Sequence, residues 1–327
     1  MNKELKFLWV DDEPQRKRAA DSLKDELGVD MTFICVEGEN IDTKLNEILS
    51  TSSQPDLIIM DHILTRTSSE TFKRGSTAAT VIHEKWPECP IVSVTAVDLK
   101  SDVDTRQRSA YENMFRDYRI SEHYQTILSI ANGFGKLRKN RPKDINALLN
   151  QIDCPMDDRE KIRKILPIEI KEEGNLNDES FIVEVYRWFN SVLAERPGFL
   201  YNKKWAATYM GLSEDGFNSV SKLFEPAKYQ GIFSDSSNER WWKSQLTQII
   251  AEKTGKVGLP WKIGRELVAS KASLYSKCYS SKKEFPETVA AMDESVDTEW
   301  HAMRLEETEP HPNYEDMLFF EQLRIMK

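Results

Sequence analysis

The stretches VDDEP (residues 10–14), LIIMD (residues 57–61) and PIVSVTA (residues 90–96) decide the fold of this chain. Each belongs to an apolar run that ends in polar residues, which is typical of a buried strand reaching the edge of a sheet. Segments with helical spacing lie between them, and parallel strands need such crossover connections. The three stretches therefore predict a parallel sheet with polar groups at its carboxyl edge.

The same alternation extends in both directions from these stretches. The predicted strands are Leu5–Val10, Met31–Val36, Asp56–Met60, Pro90–Val94 and Met114–Ile120. The predicted helices between and after them are Gln15–Leu27, Ile41–Ser50, Ser76–Lys85, Ser101–Glu112 and Glu122–Gly133. A repeat of strand and helix in this length predicts a sheet covered by helices on both faces. We expect an α/β, flavodoxin-like doubly wound fold with five parallel strands.

The length of 327 residues predicts a second domain, because single cores stop growing well below ~300 residues. The basic stretch GKLRKNRPKD (residues 135–144) has the composition of an exposed linker. We therefore expect a first domain at 1–135, a linker at 136–144 and a second domain at 145–327. Helical spacing at Ile145–Ile165 and Asp178–Ala194 predicts that the second domain is mainly α-helical, and its C-terminal segment from Glu284 is acidic.

The composition and charge of the chain disfavour several classes of function. The formal net charge is −9, which disfavours DNA and anionic membranes as partners. The four cysteines stand far apart, which indicates reduced thiols instead of a metal or disulfide framework. No apolar run approaches the ~20 residues that a membrane-spanning helix needs. The sequence therefore predicts a soluble, cytoplasmic protein with no membrane partner.

Carboxylates follow two of the predicted strands. Asp11 and Asp12 follow the first strand, and Asp61 follows the third. Ligands of open parallel sheets bind at the carboxyl ends of the strands, where the winding reverses. Three carboxylates at one edge repel one another unless a cation lies among them. A hard divalent ion such as Mg²⁺ meets that need with oxygen ligands.

Thr95 follows the fourth strand and adds a hydroxyl at the same edge. A hydroxyl can donate a hydrogen bond to a phosphoryl oxygen. A carboxylate can act as a nucleophile toward phosphorus when a metal ion and hydrogen-bond donors neutralise the charge on the phosphoryl oxygens. The predicted edge therefore has the parts of a phosphoryl-accepting site.

The motifs VDDEP, LIIMD and PIVSVTA, in that order, resemble the receiver domain of two-component response regulators over about residues 5–134. The resemblance implies that Asp61 is the phosphoacceptor, assisted by Thr95. The implied Mg²⁺ ligands are Asp11, Asp12, Asp61 and the carbonyl oxygen of Ile63. The implied switch residues are Thr95 and Tyr118.

The end of the fifth predicted strand departs from the receiver pattern. Receivers carry a lysine there, whereas this chain has Ser121 at the corresponding position. Arg119 and Arg116 are candidate phosphate-contacting residues, because a guanidinium binds phosphate well. Neither is a like-for-like replacement for the lysine.

A segment of the second half, WAATYMGLSEDGFNSV (residues 205–220), superficially resembles a helix-turn-helix. Its second helix would begin with Glu214 and Asp215, where a DNA reader needs groups that contact bases and phosphates. Acidic residues there are better interpreted as helix-capping groups. The charge therefore disfavours DNA binding.

Three functions remain open on the sequence. The first is a two-component signalling protein that accepts a phosphoryl group from a histidine kinase or phosphotransfer protein and contacts an unknown protein effector through its second domain. The second is a DNA-binding transcriptional regulator that uses residues 205–220. The third is a phosphate sink that buffers a kinase and its effector. We expect no enzymatic activity beyond self-phosphorylation from a phosphodonor and autodephosphorylation.

Overall fold

The computed structural model of the chain describes residues 4–51, 53–68, 73–97, 103–196, 198–269 and 271–276, together with two strands at 289–293 and 299–303. By its internal contacts the chain divides into two units. The first unit comprises Met1–Ile152, Leu166–Arg187 and Gly231–Ser237. The second comprises Asp153–Ile165, Trp188–Gln230 and Asn238–Lys327. The first unit therefore contains two segments from the later part of the sequence.

Five parallel strands form the sheet of the first unit. They are β1 (Lys6–Asp11), β2 (Asp30–Cys35), β3 (Leu57–Asp61), β4 (Ile91–Thr95) and β5 (Asn113–Arg116). Their order across the sheet is β2-β1-β3-β4-β5. This is the strand order of flavodoxin-like folds, so the predicted fold class is confirmed.

Helices cover the sheet. They are α1 (Lys17–Leu27), α2 (Ile41–Thr51), α3 (Gly75–Lys85), α4 (Thr105–Arg108) and α5 (Tyr124–Lys139), and a 3-10 turn at Pro14–Arg16 precedes α1. The central strands are buried on both faces: the adjacent residues Trp9 and Val10 of β1, and Ile58 and Ile59 of β3, are all 0% exposed. Continuous apolar strands are typical of a parallel sheet that helices cover on both sides.

The predicted fifth strand and fourth helix differ from the structure. The fifth strand was expected to run from Met114 to Ile120, but β5 ends at Arg116 and a 3-10 helix, Asp117–His123, follows it. Arg116 pairs with Thr95, the last residue of β4, so residues beyond it have no neighbouring strand to bond. The fourth helix, predicted at Ser101–Glu112, is the short α4, and residues 98–102 lie outside the described residues.

The last helix of the sheet domain extends further than the sequence predicts. The expected helix was Glu122–Gly133, whereas α5 continues to Lys139 and includes the first residues of the predicted linker 136–144. Leu137 is fully buried, and the Arg138 guanidinium lies 3.2 Å from the Asp56 carboxylate. These contacts hold the basic stretch on the sheet domain, so its composition alone was misleading.

The later segments of the first unit share a core with α5. They contain α8 (Ile168–Lys171) and most of α9 (Phe181–Trp188), and α6 (Ile145–Gln151) follows α5 in the same unit. The rings of Phe134, Tyr186 and Phe233 pack together. The Phe134 centroid lies 5.5 Å from that of Tyr186 and 6.3 Å from that of Phe233, and the last two are 5.1 Å apart. The aromatic cluster therefore ties both later segments to α5.

The second unit is mainly helical, as the sequence predicts. Its helices are α7 (Met156–Ile165), α10 (Lys203–Tyr209), α11 (Glu214–Val220), α12 (Lys243–Thr254) and α13 (Pro260–Ile263). Two antiparallel pairs accompany them, β6 (Leu200–Asn202) with β7 (Arg240–Trp242) and β8 (Val289–Asp293) with β9 (Glu299–Met303). Phe217, Phe224 and Trp241 are at most 2% exposed and form the centre of its core.

The expected helix at Ile145–Ile165 is divided into α6 and α7 by residues 152–155, and the one at Asp178–Ala194 is α9 followed by a π-helical turn, Phe189–Ala194. The acidic segment from Glu284 lies outside the described residues, apart from the backbone of β8 and β9. Within the part of the chain that is described, no helix is long and apolar enough to cross a membrane.

Candidate functional site

Two neighbouring strands bring three carboxylates together. Asp11 ends β1, Asp12 follows it, and Asp61 ends β3. The strands β2 and β3 lie on opposite sides of β1, so the winding of the sheet reverses at this place. One oxygen of each carboxylate lies within 4.8 Å of the other two. The structure thus brings together the acids that the sequence predicted to meet.

Local hydrogen bonds fix the two acids that follow β1. Asp11 accepts hydrogen bonds from the indole Nε1 of Trp9 at 3.2 Å and from the backbone N–H of Glu13 at 2.8 Å. Asp12 accepts one from the backbone N–H of Arg66 at 2.6 Å. Both acids are 2% exposed. Their positions are therefore set by two backbone N–H groups, of Glu13 and Arg66, and by the Trp9 indole.

Burial and like charge raise the pKa values of Asp61 and Asp11. Burial raises the pKa of Asp61 to about 8, and the nearby Asp11 and Asp12 carboxylates add to the increase. Burial also raises the pKa of Asp11 to about 6, against the hydrogen bonds from Glu13 and Trp9, which lower it. The carboxyl of Asp61 is therefore mainly protonated at neutral pH in the absence of a bound cation.

The donor set fits a hard divalent cation. Three carboxylate oxygens within 4.8 Å of one another match the oxygen ligands that such ions take, and their mutual repulsion is what a cation relieves. The N–H of Ile63 donates to the Asp61 carboxylate, so the loop after β3 is tied to the cluster. The role of the Ile63 carbonyl oxygen as a ligand stays a prediction.

Thr95 lies at the same edge of the sheet. It ends β4, directly beyond Val94, which is the register partner of Asp61. The residue is 1% exposed, and its hydroxyl accepts a long hydrogen bond of 3.4 Å from the N–H of Val97. The hydroxyl hydrogen is left for another acceptor, and the contact of Thr95 with a phosphoryl oxygen stays a prediction.

The structure places the predicted residues of the fifth strand at its end or on the helix that follows it. Arg116 is half-buried at the end of β5, whereas Arg119 is exposed on the following 3-10 helix. The backbone of Tyr118 belongs to that helix, but its side chain lies outside the described residues. Ser121 is exposed there too and has no charge at the position of the receiver lysine, and the phosphate-contacting roles of Arg116 and Arg119 stay predictions.

The sequence interpretation missed Arg66, five residues after Asp61. Its backbone N–H bonds to Asp12, and its guanidinium Nη2 lies 2.9 Å from Glu13 Oε1. Loop residues of this kind follow no motif, and only the fold reveals that the loop returns to the end of β1. A cation therefore lies at the rim of the acidic cluster.

The sequence interpretation also missed the pairing of His62 with Tyr111. His62 is fully buried, and its Nδ1 lies 3.2 Å from the Tyr111 hydroxyl. Burial, followed by the charge of Arg74, lowers the pKa of His62, so its ring is neutral at pH 7. A Cβ on Gly75 would lie 2.0 Å from the Asp61 carbonyl oxygen, so only glycine fits at the start of α3. The loop beside Asp61 is therefore closely packed.

The segment at residues 205–220 forms two helices, α10 and α11, joined by a turn in which Gly211 has a φ of +68°. Ser213 caps α11 by accepting a hydrogen bond from the N–H of Gly216 at 3.1 Å. Glu214 and Asp215 are exposed in the first turn of α11. The helix pair agrees with the prediction, and the acids on its exposed face are unsuited to DNA phosphates.

Several solved structures resemble the N-terminal part of the chain. The N-terminal domain of a response regulator/sensory box/GGDEF 3-domain protein from Carboxydothermus hydrogenoformans is 22% identical, with a TM-score of 0.32, over 41% of this chain and 97% of that one. The response regulator TrrA from Thermotoga maritima, in complex with Mg²⁺-BeF, is 23% identical, with a TM-score of 0.30, over 38% of this chain and 98% of that one.

The signal receiver domain of response regulator NarL from Mycobacterium tuberculosis is 16% identical, with a TM-score of 0.32, over 40% of this chain and 98% of that one. No protein-family model and no curated relative matches the chain. The identities and scores are low, so these likenesses carry no argument about activity. The expected resemblance of about residues 5–134 to receiver domains is confirmed for the fold, by the strand order of the sheet.

Proposed function

We propose that the chain is a two-component signalling protein whose Asp61 accepts a phosphoryl group from a histidine kinase or phosphotransfer protein. The observation that supports this proposal is the meeting of the Asp11, Asp12 and Asp61 carboxylates at the point where the sheet reverses its winding. Asp11, Asp12 and Asp61 would hold Mg²⁺, and the carbonyl oxygen of Ile63 would complete the protein ligands. When bound, the ion neutralises charge on the phosphoryl oxygens.

The transfer needs only a nucleophile and neutralised charge. A carboxylate oxygen of Asp61 forms a bond to phosphorus, while the phosphorus–nitrogen bond of a phosphohistidine breaks and its electron pair stays on the imidazole. The product is an acyl phosphate, and attack by water on its phosphorus returns the carboxylate and inorganic phosphate. The Thr95 hydroxyl donates to a phosphoryl oxygen. No other enzymatic activity is proposed.

Output would occur through protein contacts of the second unit. Its helix α11 begins with the exposed residues Glu214 and Asp215, which favour a protein effector over DNA. A phosphate sink is the second candidate function, and one observation favours it. The Ser121 position is exposed and supplies no cation, so the acyl phosphate would lose one of its usual stabilising contacts.

Incubation of the purified chain with acetyl phosphate and Mg²⁺ tests the proposal by intact-protein mass spectrometry. We expect the mass to rise by one phosphoryl group in the wild type and to stay unchanged in Asp61→Asn. Omission of Mg²⁺ should abolish the gain as well. Absence of any gain in the wild type would contradict the proposal. The half-life of the phosphorylated form then distinguishes a long-lived signal from a short-lived sink.

A further inference from the structure

The acidic cluster needs a cation of the protein beside the phosphoryl group, and the fifth strand does not supply a lysine. Transfer of a phosphoryl group to Asp61 would add negative charge to a site that already holds three carboxylates. Positive side chains that contact the phosphoryl oxygens are a general requirement of this chemistry. Arg66 lies at the cluster and has a side chain that meets this requirement.

Arg66 is anchored at the cluster by its backbone. Its N–H donates to Asp12 Oδ2 at 2.6 Å, and its carbonyl accepts from the N–H of Gly38 at 2.8 Å. Nearby, the N–H of Ser68 donates to the carbonyl of Glu39 at 3.0 Å, which holds the same loop against the segment after β2. The backbone of Arg66 is therefore fixed within one hydrogen bond of an acid of the site.

The guanidinium of Arg66 is held only loosely. It lies 2.9 Å from Glu13 Oε1 and 3.8 Å from Glu37 Oε1, and its side chain is 46% exposed. Exposed ion pairs of this kind are worth at most about 1 kcal/mol each. A phosphoryl group offers the guanidinium a stronger, bidentate partner. The side chain can therefore leave Glu13 without a large energetic cost.

Other arginines lie near the same edge. Arg16 is bound to the same carboxylate, with its Nε 3.3 Å from Glu13 Oε2, and its charge lowers the pKa of Asp11. Arg116 lies at the end of β5 and Arg119 on the 3-10 helix after it, and both have further interactions of their own. Arg16 therefore serves as a matched control.

We propose that Arg66 takes the place of the missing lysine: its guanidinium moves from Glu13 to the phosphoryl group on Asp61 and binds two of its oxygens. This inference rests on the proposed function of Asp61. It moves the cation of the site from the fifth strand to the loop after β3. Arg66 would then determine how tightly the phosphoryl group is held, whereas the metal ligands remain unchanged.

The test uses beryllofluoride, a phosphoryl mimic, titrated into the full chain at saturating Mg²⁺ and followed by ¹⁹F NMR. We expect Arg66→Gln to weaken beryllofluoride binding about tenfold or more, because a charge-assisted hydrogen-bond pair is lost. Arg66→Lys should restore part of the affinity. Arg16→Gln should change it less than threefold. The affinity for Mg²⁺ alone should be unchanged or higher in Arg66→Gln, because a positive charge is removed near the ion.

The outcomes separate the two proposals. If Arg66→Gln binds beryllofluoride as tightly as the wild type does, the role of Arg66 is overturned. The proposed function of Asp61 is not affected by that result. Equal losses in Arg66→Gln and Arg16→Gln, or a larger loss in Arg116→Gln or Arg119→Gln, would overturn it too. Wild type that neither binds beryllofluoride nor gains a phosphoryl group from acetyl phosphate would overturn the proposed function, and this inference with it.

Discussion

Asp61 lies among groups that oppose its ionisation. Its neighbours Asp11 and Asp12 are carboxylates, and burial is the largest cause of its raised pKa. The same arrangement that destabilises the charge prepares the site for a divalent cation, because a cation removes both the repulsion and part of the cost of burial. A strained acidic cluster is therefore expected to cost stability until the ion binds.

We predict that Asp61→Asn stabilises the metal-free protein and removes its response to Mg²⁺. Loss of this buried like charge should raise the free energy of unfolding at pH 8 by up to about 5 kcal/mol, because burial and the neighbouring acids raise the pKa of Asp61 from 3.8 to about 8. Added Mg²⁺ should raise the melting temperature of the wild type but not of the variant, because only an ion bound to the folded state stabilises it. Equal Mg²⁺ responses in both proteins would contradict the assignment of Asp61 as a ligand.

Glu112 is a buried acid that lies outside the cluster of Asp11, Asp12 and Asp61. The side chain of Glu112 is fully buried, where it accepts a hydrogen bond from the N–H of Ile91 at 2.5 Å and one from Arg187 at 3.1 Å. Burial raises its pKa to about 7, although Arg187 lowers it in part. His83, whose Nε2 is 3.8 Å from Glu112, has a pKa lowered to about 4, first by burial and then by the charge of Arg187. As the pH rises, Glu112 therefore lowers the free energy of unfolding, whereas His83 raises it.

We predict that Glu112→Gln exposes the pH dependence of this group. Protonated Glu112 favours the folded state, so its contribution is full below its ordinary pKa of 4.5 and is lost as the pH rises through about 7. The difference in free energy of unfolding between wild type and variant should therefore fall by about 2 kcal/mol from pH 5 to pH 8. His83 contributes in the opposite direction in both proteins and cancels. Urea unfolding at both pH values measures the difference, and a constant difference would contradict the buried protonated state.

At the scale of elements, α5 is the helix on which the later segments of the first unit depend. Gly133 lies on its buried face, and a Cβ there would lie 2.2 Å from the ring of Phe233. Gly135, two residues later in the same helix, has no atom within 4 Å of the corresponding position. The two glycines therefore differ in packing while they share one helix.

We predict that Gly133→Ala destabilises the first unit by about 1–3 kcal/mol, because the added methyl group overpacks against Phe233. The matched change Gly135→Ala should be neutral or stabilising by up to about 1 kcal/mol, because alanine favours the helix. Urea unfolding of both variants measures these effects. Equal stabilities of the two variants would mean that Phe233 does not pack on α5.

The elements also mark how far sequence reasoning reaches. The positions of Asp61 and Thr95 could be predicted because apolar runs end there. A buried parallel strand can be recognised from its own continuous apolar residues. The end of β5 could not, since it depends on where β4 ends. The pair of Glu112 with Arg187 joins positions 75 residues apart, and no local pattern announces such a contact. Arg66 was missed for the same reason.

At the scale of the whole molecule, the first unit is assembled from three stretches of sequence. Residues 166–187 and 231–237 belong to it, although the predicted boundary placed them in the second domain. The hydrogen bond from Arg141 Nε to the Leu176 carbonyl, at 2.6 Å, and the one from the Thr126 hydroxyl to Asp235, also at 2.6 Å, join both stretches to α5 or the residues after it. The predicted division at 136–144 therefore separates groups that are in contact.

We predict that a chain ended after residue 144 is less stable than the same sheet domain in the full chain. The truncation would expose Phe134, whose ring packs on Tyr186 and Phe233. Loss of such aromatic contacts costs about 3 kcal/mol or more when a whole buried ring is uncovered. Hydrogen exchange at the amides of β3 and β4 compares the two chains. Equal protection in both would support independent folding of residues 1–144.

The central claim is that Asp61 is the residue that carries the phosphoryl group, and its most direct test is the location of that group. The chain is incubated with acetyl phosphate and Mg²⁺, the acyl phosphate is reduced with borohydride, and the peptides are sequenced by mass spectrometry. We predict homoserine at position 61 alone, with aspartate retained at positions 11 and 12. Homoserine at position 11 or 12, or at neither these nor position 61, would contradict the account.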